Sequence, residues 1–249
     1  MREQIDTIPV NEAFESGDEC PFCYLMRKAE QSTLRYVAGP GASYMEPDVR
    51  AATDKVGFCT AHTKKLYDYG NSLGAALMLQ TYMAGLLEEF SMEASTLAPG
   101  KRSLFAKKPA PDSNSYPARI LQKADSCFIC DRIEYHMRRY YLTFFHLVKD
   151  AEFRAKVENS KGFCMTHFAQ LMQHADQMLP KGQTDWFYET IPALMKKNLI
   201  RVKEDLDWFI AKFDYRNAGA DWKNSKDALS RTMQKLETLY PADPAYKKD

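Results

Sequence analysis

The sequence predicts an all-α fold made from a duplicated helical module, a pseudo-two-fold helical bundle, and three observations carry that expectation. Apolar residues recur at helical spacing along most of the chain. No alternating run is long enough to argue for a sheet. One cysteine–histidine pattern also occurs twice, 105 to 107 positions apart, which is too long a period for a solenoid repeat and fits a duplicated module. Cys20-Pro21-Phe22-Cys23 is answered by Cys59-Thr60-Ala61-His62, and Cys127-Phe128-Ile129-Cys130 by Cys164-Met165-Thr166-His167.

Each copy reads in one order: an acidic lead-in, CxxC, a helix, an irregular stretch, GFCxxH and a long helix. The first helix of copy one is expected from about Tyr24 to Val37, with Met26, Ala29, Thr33 and Val37 on one face. Gly39-Pro40-Gly41 stops it. Its counterpart carries Ile133, Met137, Tyr141, Phe144 and Val148 as a stripe. Pro47 to Ala51 resembles Ala151 to Ala155, so a short helix is expected ahead of each GFC. Leu66, Tyr69, Leu73, Leu77, Met83, Leu87 and Phe90 read as one long helix, with a kink at Gly70 or Gly74. After His167 a break is expected near Pro180-Lys181-Gly182. A helix then resumes from about Thr184, with Phe187, Ile191, Leu194, Val202, Leu206, Phe209 and Phe213 facing inward. A last helix is expected from Ser225 as N-cap to about Leu239.

These elements divide the chain into a first Cys3His module at 1–95, a linker at 96–118, a second module at 119–215 and a C-terminal helix and tail at 216–249. The linker carries Pro99, Gly100, Pro109, Pro111 and Pro117. It is also basic, with Lys101, Arg102, Lys107 and Lys108 against Asp112. A solvated tether is the plain reading, and an arm that touches nucleic acid or an acidic partner is the sharper one.

Composition bounds the function. The 249 residues are 45% apolar and 27% charged, as in a soluble globular protein, and 34 basic against 33 acidic residues give a net charge of +1. That balance exerts no global pull toward nucleic acid or an anionic membrane. The first residues lack the apolar stretch of a signal peptide, and the apolar run around Leu73 to Leu87 is broken by Gln80 and Thr81. A cytoplasmic protein without a membrane span is expected. Six cysteines in a reducing compartment are more often metal ligands or reactive thiols than disulfides.

All six cysteines and two of the five histidines belong to the repeated pattern. A CxxC turn points two sulfurs to one side, and CxxH does the same on the first turn of a helix, where positions i and i+3 share a face. Each copy thus offers two chelating pairs. The expected sites are Cys20, Cys23, Cys59 and His62 in copy one, and Cys127, Cys130, Cys164 and His167 in copy two. Three thiolates and one imidazole suit zinc, so two zinc ions are expected; an iron–sulfur cluster with one histidine ligand is the alternative. Helix starts at the cysteine pairs supply free N–H groups and partial positive charge. Arg27, Lys55, Lys64, Arg132 and Lys161 are near enough in sequence to add to it. Gly57 and Gly162 permit a positive φ before the third ligand, and Phe58 and Phe163 are placed to exclude water.

Nothing else names a reaction. His136, His146 and His174 read as packing or surface positions, Glu88-Glu89 lacks an ExxH partner, and Asp205 and Asp207 read as a solvated face. There is no phosphate loop, dinucleotide fingerprint, GxSxG or HExxH.

CPFC followed by a helix and then GFCTAH resembles an uncharacterised bacterial family with a CPxC…GFCxxH signature. The second copy departs from it at Phe128, where the first has Pro21. The resemblance implies a helical, metal-binding bacterial protein and no particular activity. Two functions follow from the residues. One is a non-enzymatic scaffold whose zinc sites staple helices into a binding surface for a protein or nucleic acid. The other is a redox or transfer protein using the same sulfurs as clusters or as zinc-bound thiolates.

Overall fold

The structure is a computed structural model of the chain, and it describes residues 6–41, 43–97 and 114–238. Among these residues there are eleven α-helices, three short 3₁₀ turns and no strand, so the chain is all-α as expected. In order, the helices are α1 (Thr7–Glu15), α2 (Pro21–Ala38), α3 (Pro47–Val56), α4 (Thr60–Tyr69), α5 (Ser72–Glu93), α6 (Tyr116–Ala124), α7 (Phe128–Leu147), α8 (Ala151–Asn159), α9 (Met165–Met178), α10 (Thr184–Ala211) and α11 (Ala228–Glu237).

Two compact units emerge, and neither is one of the sequence-order modules at 1–95 and 119–215. Among the described residues, unit 1 takes the chain through Ala29 and again from Tyr135 to Thr238, whereas unit 2 takes the stretch from Glu30 to Glu134. The boundaries fall inside α2 and α7, the two helices that follow the CxxC turns. Each unit therefore draws a CxxC pair from one copy of the repeat and a CxxH pair from the other.

The core of unit 1 is aromatic. Phe22 is wholly buried and stacks on Tyr141 with ring centroids 4.4 Å apart. Phe14 on α1 lies 5.2 Å from Phe153 on α8 and 5.8 Å from Phe144 on α7. Burying one such ring contributes roughly 1.5–3 kcal/mol. In unit 2, Leu34, Val37, Ala38, Leu66, Met78, Cys127, Phe128 and Ile129 form the core. The residue just before the second cysteine of each CxxC, Phe22 or Ile129, is fully buried. Each CxxC turn is thereby anchored in apolar packing.

Several boundaries differ from the sequence reading. The run after His62 is two helices, because Gly70 takes a left-handed conformation at φ 82° and ends α4. Asn71 then caps α5 by accepting from the Gly74 amide at 3.0 Å. On α5, Leu73, Met83, Leu87 and Phe90 are exposed. Tyr116–Ala124 is helical with Ser115 as N-cap and Pro117 in its first turn, so the expected linker at 96–118 ends inside α6. Residues 98–113, with Lys101, Arg102, Lys107 and Lys108, lie outside the described residues.

Between α9 and α10 the break falls at Pro180-Lys181-Gly182, as the sequence predicts. Phe187, Ile191, Leu194 and Val202 of α10 are buried, but Phe213 lies beyond its end and is exposed. The last helix begins at Ala228 rather than next to Ser225. It is inverted: Arg231, Gln234 and Lys235 face inward, while Leu229, Met233 and Leu236 are exposed. No described helix is long and apolar enough to cross a membrane.

Candidate metal centres

The eight predicted ligands form two groups of four, paired across the repeat. Cys20 and Cys23 meet Cys164 and His167 in unit 1, while Cys127 and Cys130 meet Cys59 and His62 in unit 2. The expectation that each copy closes its own site is therefore corrected: the CxxC of one copy joins the CxxH of the other. Within each group the four ligand atoms all lie within 4.8 Å of one another.

Backbone pairing gives the physical reason in unit 2. The Phe128 amide donates to the Gly57 carbonyl at 3.0 Å, and Ser126 Oγ donates to the Val56 carbonyl at 2.7 Å. These bonds clamp the second CxxC turn to the chain entering the first GFC. Unit 1 uses a side chain instead. Lys235 Nζ donates to the carbonyls of Glu19 at 2.5 Å, Lys161 at 2.6 Å and Phe163 at 3.4 Å. One buried ammonium thus bridges the first CxxC turn and the second GFC turn.

The unit 1 centre is enclosed, and all four ligands are buried. Pro21 occupies the first helical position after Cys20, where a missing N–H costs nothing. The Cys20 amide donates to Asp18 Oδ1 at 3.0 Å, and the Cys23 amide donates to Cys20 Sγ at 3.4 Å. Cys164 is the N-cap of α9, its sulfur accepting from the His167 amide at 3.4 Å. His167 Nδ1 faces the sulfurs of Cys164, Cys23 and Cys20 at 3.1, 3.4 and 3.5 Å. Thr238 Oγ1, just past α11, lies 3.3 Å from Cys164 Sγ. Phe163 is wholly buried against Phe22 at 5.8 Å, as expected of a water-excluding residue.

The unit 2 centre is more open. Cys127 and His62 are buried, Cys59 is half-buried and Cys130 is exposed. His62 Nδ1 faces Cys59, Cys127 and Cys130 at 3.2, 3.3 and 3.3 Å. Its other nitrogen, Nε2, donates to Glu30 Oε1 at 2.9 Å, and Lys65 Nζ holds Glu30 Oε2 at 2.6 Å. A carboxylate behind a ligating imidazole fixes its tautomer and raises its basicity. Phe58 is only partly buried, its ring 6.5 Å from Phe128.

Charge is organised around both groups. Burial opposes a charged His62, yet its hydrogen bonds to Cys127 and Glu30 outweigh it and raise the imidazole to about 10. Burial likewise opposes the Cys127 thiolate, and His62 with the neighbouring backbone amides lowers it to about 6. Burial and the Cys127 charge push Cys130 up to about 12. In unit 1, hydrogen bonds from Cys20 and Cys23, with His167, hold Cys164 far below the usual thiol range. His167 is raised to about 10 against its burial, by Cys164 and Cys20. Burial lowers Lys235, against the pull of Glu19 and Cys20.

The sequence-nominated cations mostly serve elsewhere. Arg27 pairs with Asp18, Lys64 with Asp68, and Arg132 stacks over Tyr36 at 4.7 Å. Lys161 stands 3.9 Å from Glu19. Glu30, Lys65, Lys235 and Thr238 were not singled out from sequence. Lys65 follows His62 by three positions, a spacing that shares a helix face, but Glu30 and Lys235 leave no such local mark. Gly57 and Gly162 do take positive φ, 65° and 74°. His174 packs against Tyr141 at 4.8 Å, and among the described residues neither it nor His136 or His146 joins a metal-competent group. Asp205 is paired with Arg231 at 2.9 Å and Asp207 with Lys203 at 2.6 Å.

The donor set fits a single metal ion in each unit: three sulfurs and one ring nitrogen converge, and basic or amide groups stand behind them. The fold and its sites thus define an all-α protein with two Cys3His groups able to hold metal. The chain belongs to DUF6062, a family of unknown function, which it matches over residues 1–243. No curated protein matches the chain. No solved structure matches it either.

Proposed function

We propose that the protein is a cytoplasmic, non-enzymatic scaffold in which two zinc ions staple helices into a surface for a macromolecular partner. The observation that carries this reading is the convergence of four good ligands within 4.8 Å in each unit. Zinc–sulfur bonds of about 2.3 Å and zinc–nitrogen bonds of about 2.0 Å set tetrahedral ligand atoms roughly 3.5–3.8 Å apart. The nitrogen–sulfur separations run from 3.1 to 3.5 Å, and Cys59 and Cys130 are 4.0 Å apart. A polynuclear iron–sulfur cluster distributes its cysteines over more than one iron and spreads them further. Four protein ligands also leave no position for a catalytic water, which supports structural rather than catalytic zinc.

The partner surface is part of the proposal. Leu73, Met83, Leu87 and Phe90 expose an apolar stretch on α5 that favours a protein partner. Lys101, Arg102, Lys107 and Lys108 are the basic feature that nucleic acid would use, and neutralising them tests it through the salt dependence of binding. The deciding experiment for the metal is mass-spectrometric metal content with a visible spectrum, on protein purified without air and without affinity metal. Two zincs per chain and no colour are expected. Iron with acid-labile sulfide overturns the zinc scaffold and leaves a redox protein.

A second reading, reactive zinc-bound thiolates, is favoured by one observation: Cys130 in unit 2 is exposed.

A further inference from the structure

We propose that the unit 2 centre is a site of thiolate modification by hydroperoxides, in which Cys130 reacts first, Cys59 resolves it, and the unit 2 metal leaves while unit 1 keeps its ion. This rests on the zinc reading above and goes beyond it, because it assigns different chemistry to two centres with the same ligands.

Accessibility separates the two. Cys20, Cys23 and Cys164 are all at 0% exposure, under Phe22, Phe163 and the end of α11. An oxidant has no path to those sulfurs without local unfolding. In unit 2, Cys130 is exposed and Cys59 half-buried, while Cys127 is at 1%. The two accessible sulfurs are also neighbours, with Sγ atoms 4.0 Å apart. A disulfide needs about 2.05 Å, so side-chain rotation of Cys130 on the first turn of α7 must supply the remaining approach. Cys127 and His62 stay on the buried side, and the bond from the Phe128 amide to the Gly57 carbonyl keeps the two turns together meanwhile.

The chemistry closes with hydrogen peroxide as the oxidant. Coordination in the metal-loaded protein holds Cys130 as the thiolate, which attacks one peroxide oxygen: a sulfur–oxygen bond forms, the oxygen–oxygen bond breaks, and hydroxide leaves and is protonated to water. The sulfenic acid is a poor ligand. The Cys59 thiolate then attacks the Cys130 sulfur, a sulfur–sulfur bond forms, and the sulfur–oxygen bond breaks to release a second hydroxide. Two thiolates have lost two electrons to one peroxide, giving a disulfide and two waters once two protons are taken up. Only Cys127 and His62 remain as ligands, too few to retain the ion.

The test uses the full chain with its metal counted beforehand. Hydrogen peroxide is added in the presence of a chromogenic zinc chelator, and the products are mapped by mass spectrometry under non-reducing conditions. One zinc equivalent should leave at least ~10-fold faster than the other, with a Cys59–Cys130 disulfide as the first product. Dithiothreitol and added zinc should reverse it. In Cys59→Ser, a sulfenic-acid probe should label Cys130, with no disulfide to follow. Equal release of both ions, no release, or a first disulfide among Cys20, Cys23 and Cys164 overturns the inference and leaves two structural zincs standing. Absence of zinc in the starting protein overturns the zinc reading itself.

Discussion

Glu30 Oε1 lies 2.9 Å from His62 Nε2, the ring nitrogen turned away from the three sulfurs that surround Nδ1. Lys65 holds the second carboxylate oxygen at 2.6 Å, so the imidazole is fixed from behind by a fixed carboxylate. Glu30→Gln should lower metal affinity in unit 2 by about 10- to 100-fold, the range for losing such a partner. Unit 1 should be unaffected. Chelator competition that follows each equivalent separately checks this.

The cross-repeat pairing predicts which double substitutions act on one site. Cys23→Ala with Cys164→Ala damages unit 1 alone and should remove one metal equivalent. Cys23→Ala with Cys59→Ala strikes both units and should remove two. Sites closed within each copy would reverse these numbers. Metal content per folded chain, by mass spectrometry, decides between them.

Lys235 is 1% exposed, donates to three carbonyls and stands 3.3 Å from Glu19. Lys235→Met keeps much of the volume but strands those carbonyls and removes one cation from a buried carboxylate. Arg201 still holds Glu19 at 2.5 Å, which limits the damage. The expected loss is about 2–4 kcal/mol, read from the denaturant midpoint of the metal-loaded protein.

Gly57 and Gly162 occupy equivalent places before the third ligand but should differ in tolerance. Gly57 sits at φ 65° and ψ −152°, a region essentially reserved for glycine, and an added Cβ would stand 2.8 Å from the Tyr82 ring. Gly162, at φ 74°, has nothing nearer than Met195 Sδ at 3.5 Å. Gly57→Ala should cost about 2–3 kcal/mol and Gly162→Ala about 1 kcal/mol, measured by equilibrium unfolding. Equal costs would mean that the contact with Tyr82 does not matter.

Much of this molecule is legible in its residues. Spacing alone nominates all eight residues that the fold gathers into two Cys3His groups, because CxxC and CxxH are chelating pairs by local geometry. Helical periodicity locates α2, α7, α9 and α10, and Gly57 and Gly162 announce their positive φ. The misses have physical causes. The break at Gly70 needed Asn71 as a cap for α5, which turned a kink into a stop. The polarity of α11 is inverted because Arg231, Gln234 and Lys235 are drawn inward by Asp205, Asp18 and Glu19. Those partners lie far away in sequence, so no local pattern marks the helix as facing backward.

What is local was therefore written in the chain: the helical class, the chelating pairs and the turns that present them. Which pair meets which was not. Each CxxC can be completed equally well by either CxxH, since both supply one sulfur and one nitrogen at the same spacing. The choice rests on contacts between distant segments: the Phe128 amide on the Gly57 carbonyl in unit 2, and Lys235 across the Glu19 and Lys161 carbonyls in unit 1. The exposure of Cys130 against the burial of Cys23 arises in the same way, because it depends on which side chains pack over each sulfur and not on the motif that contains it.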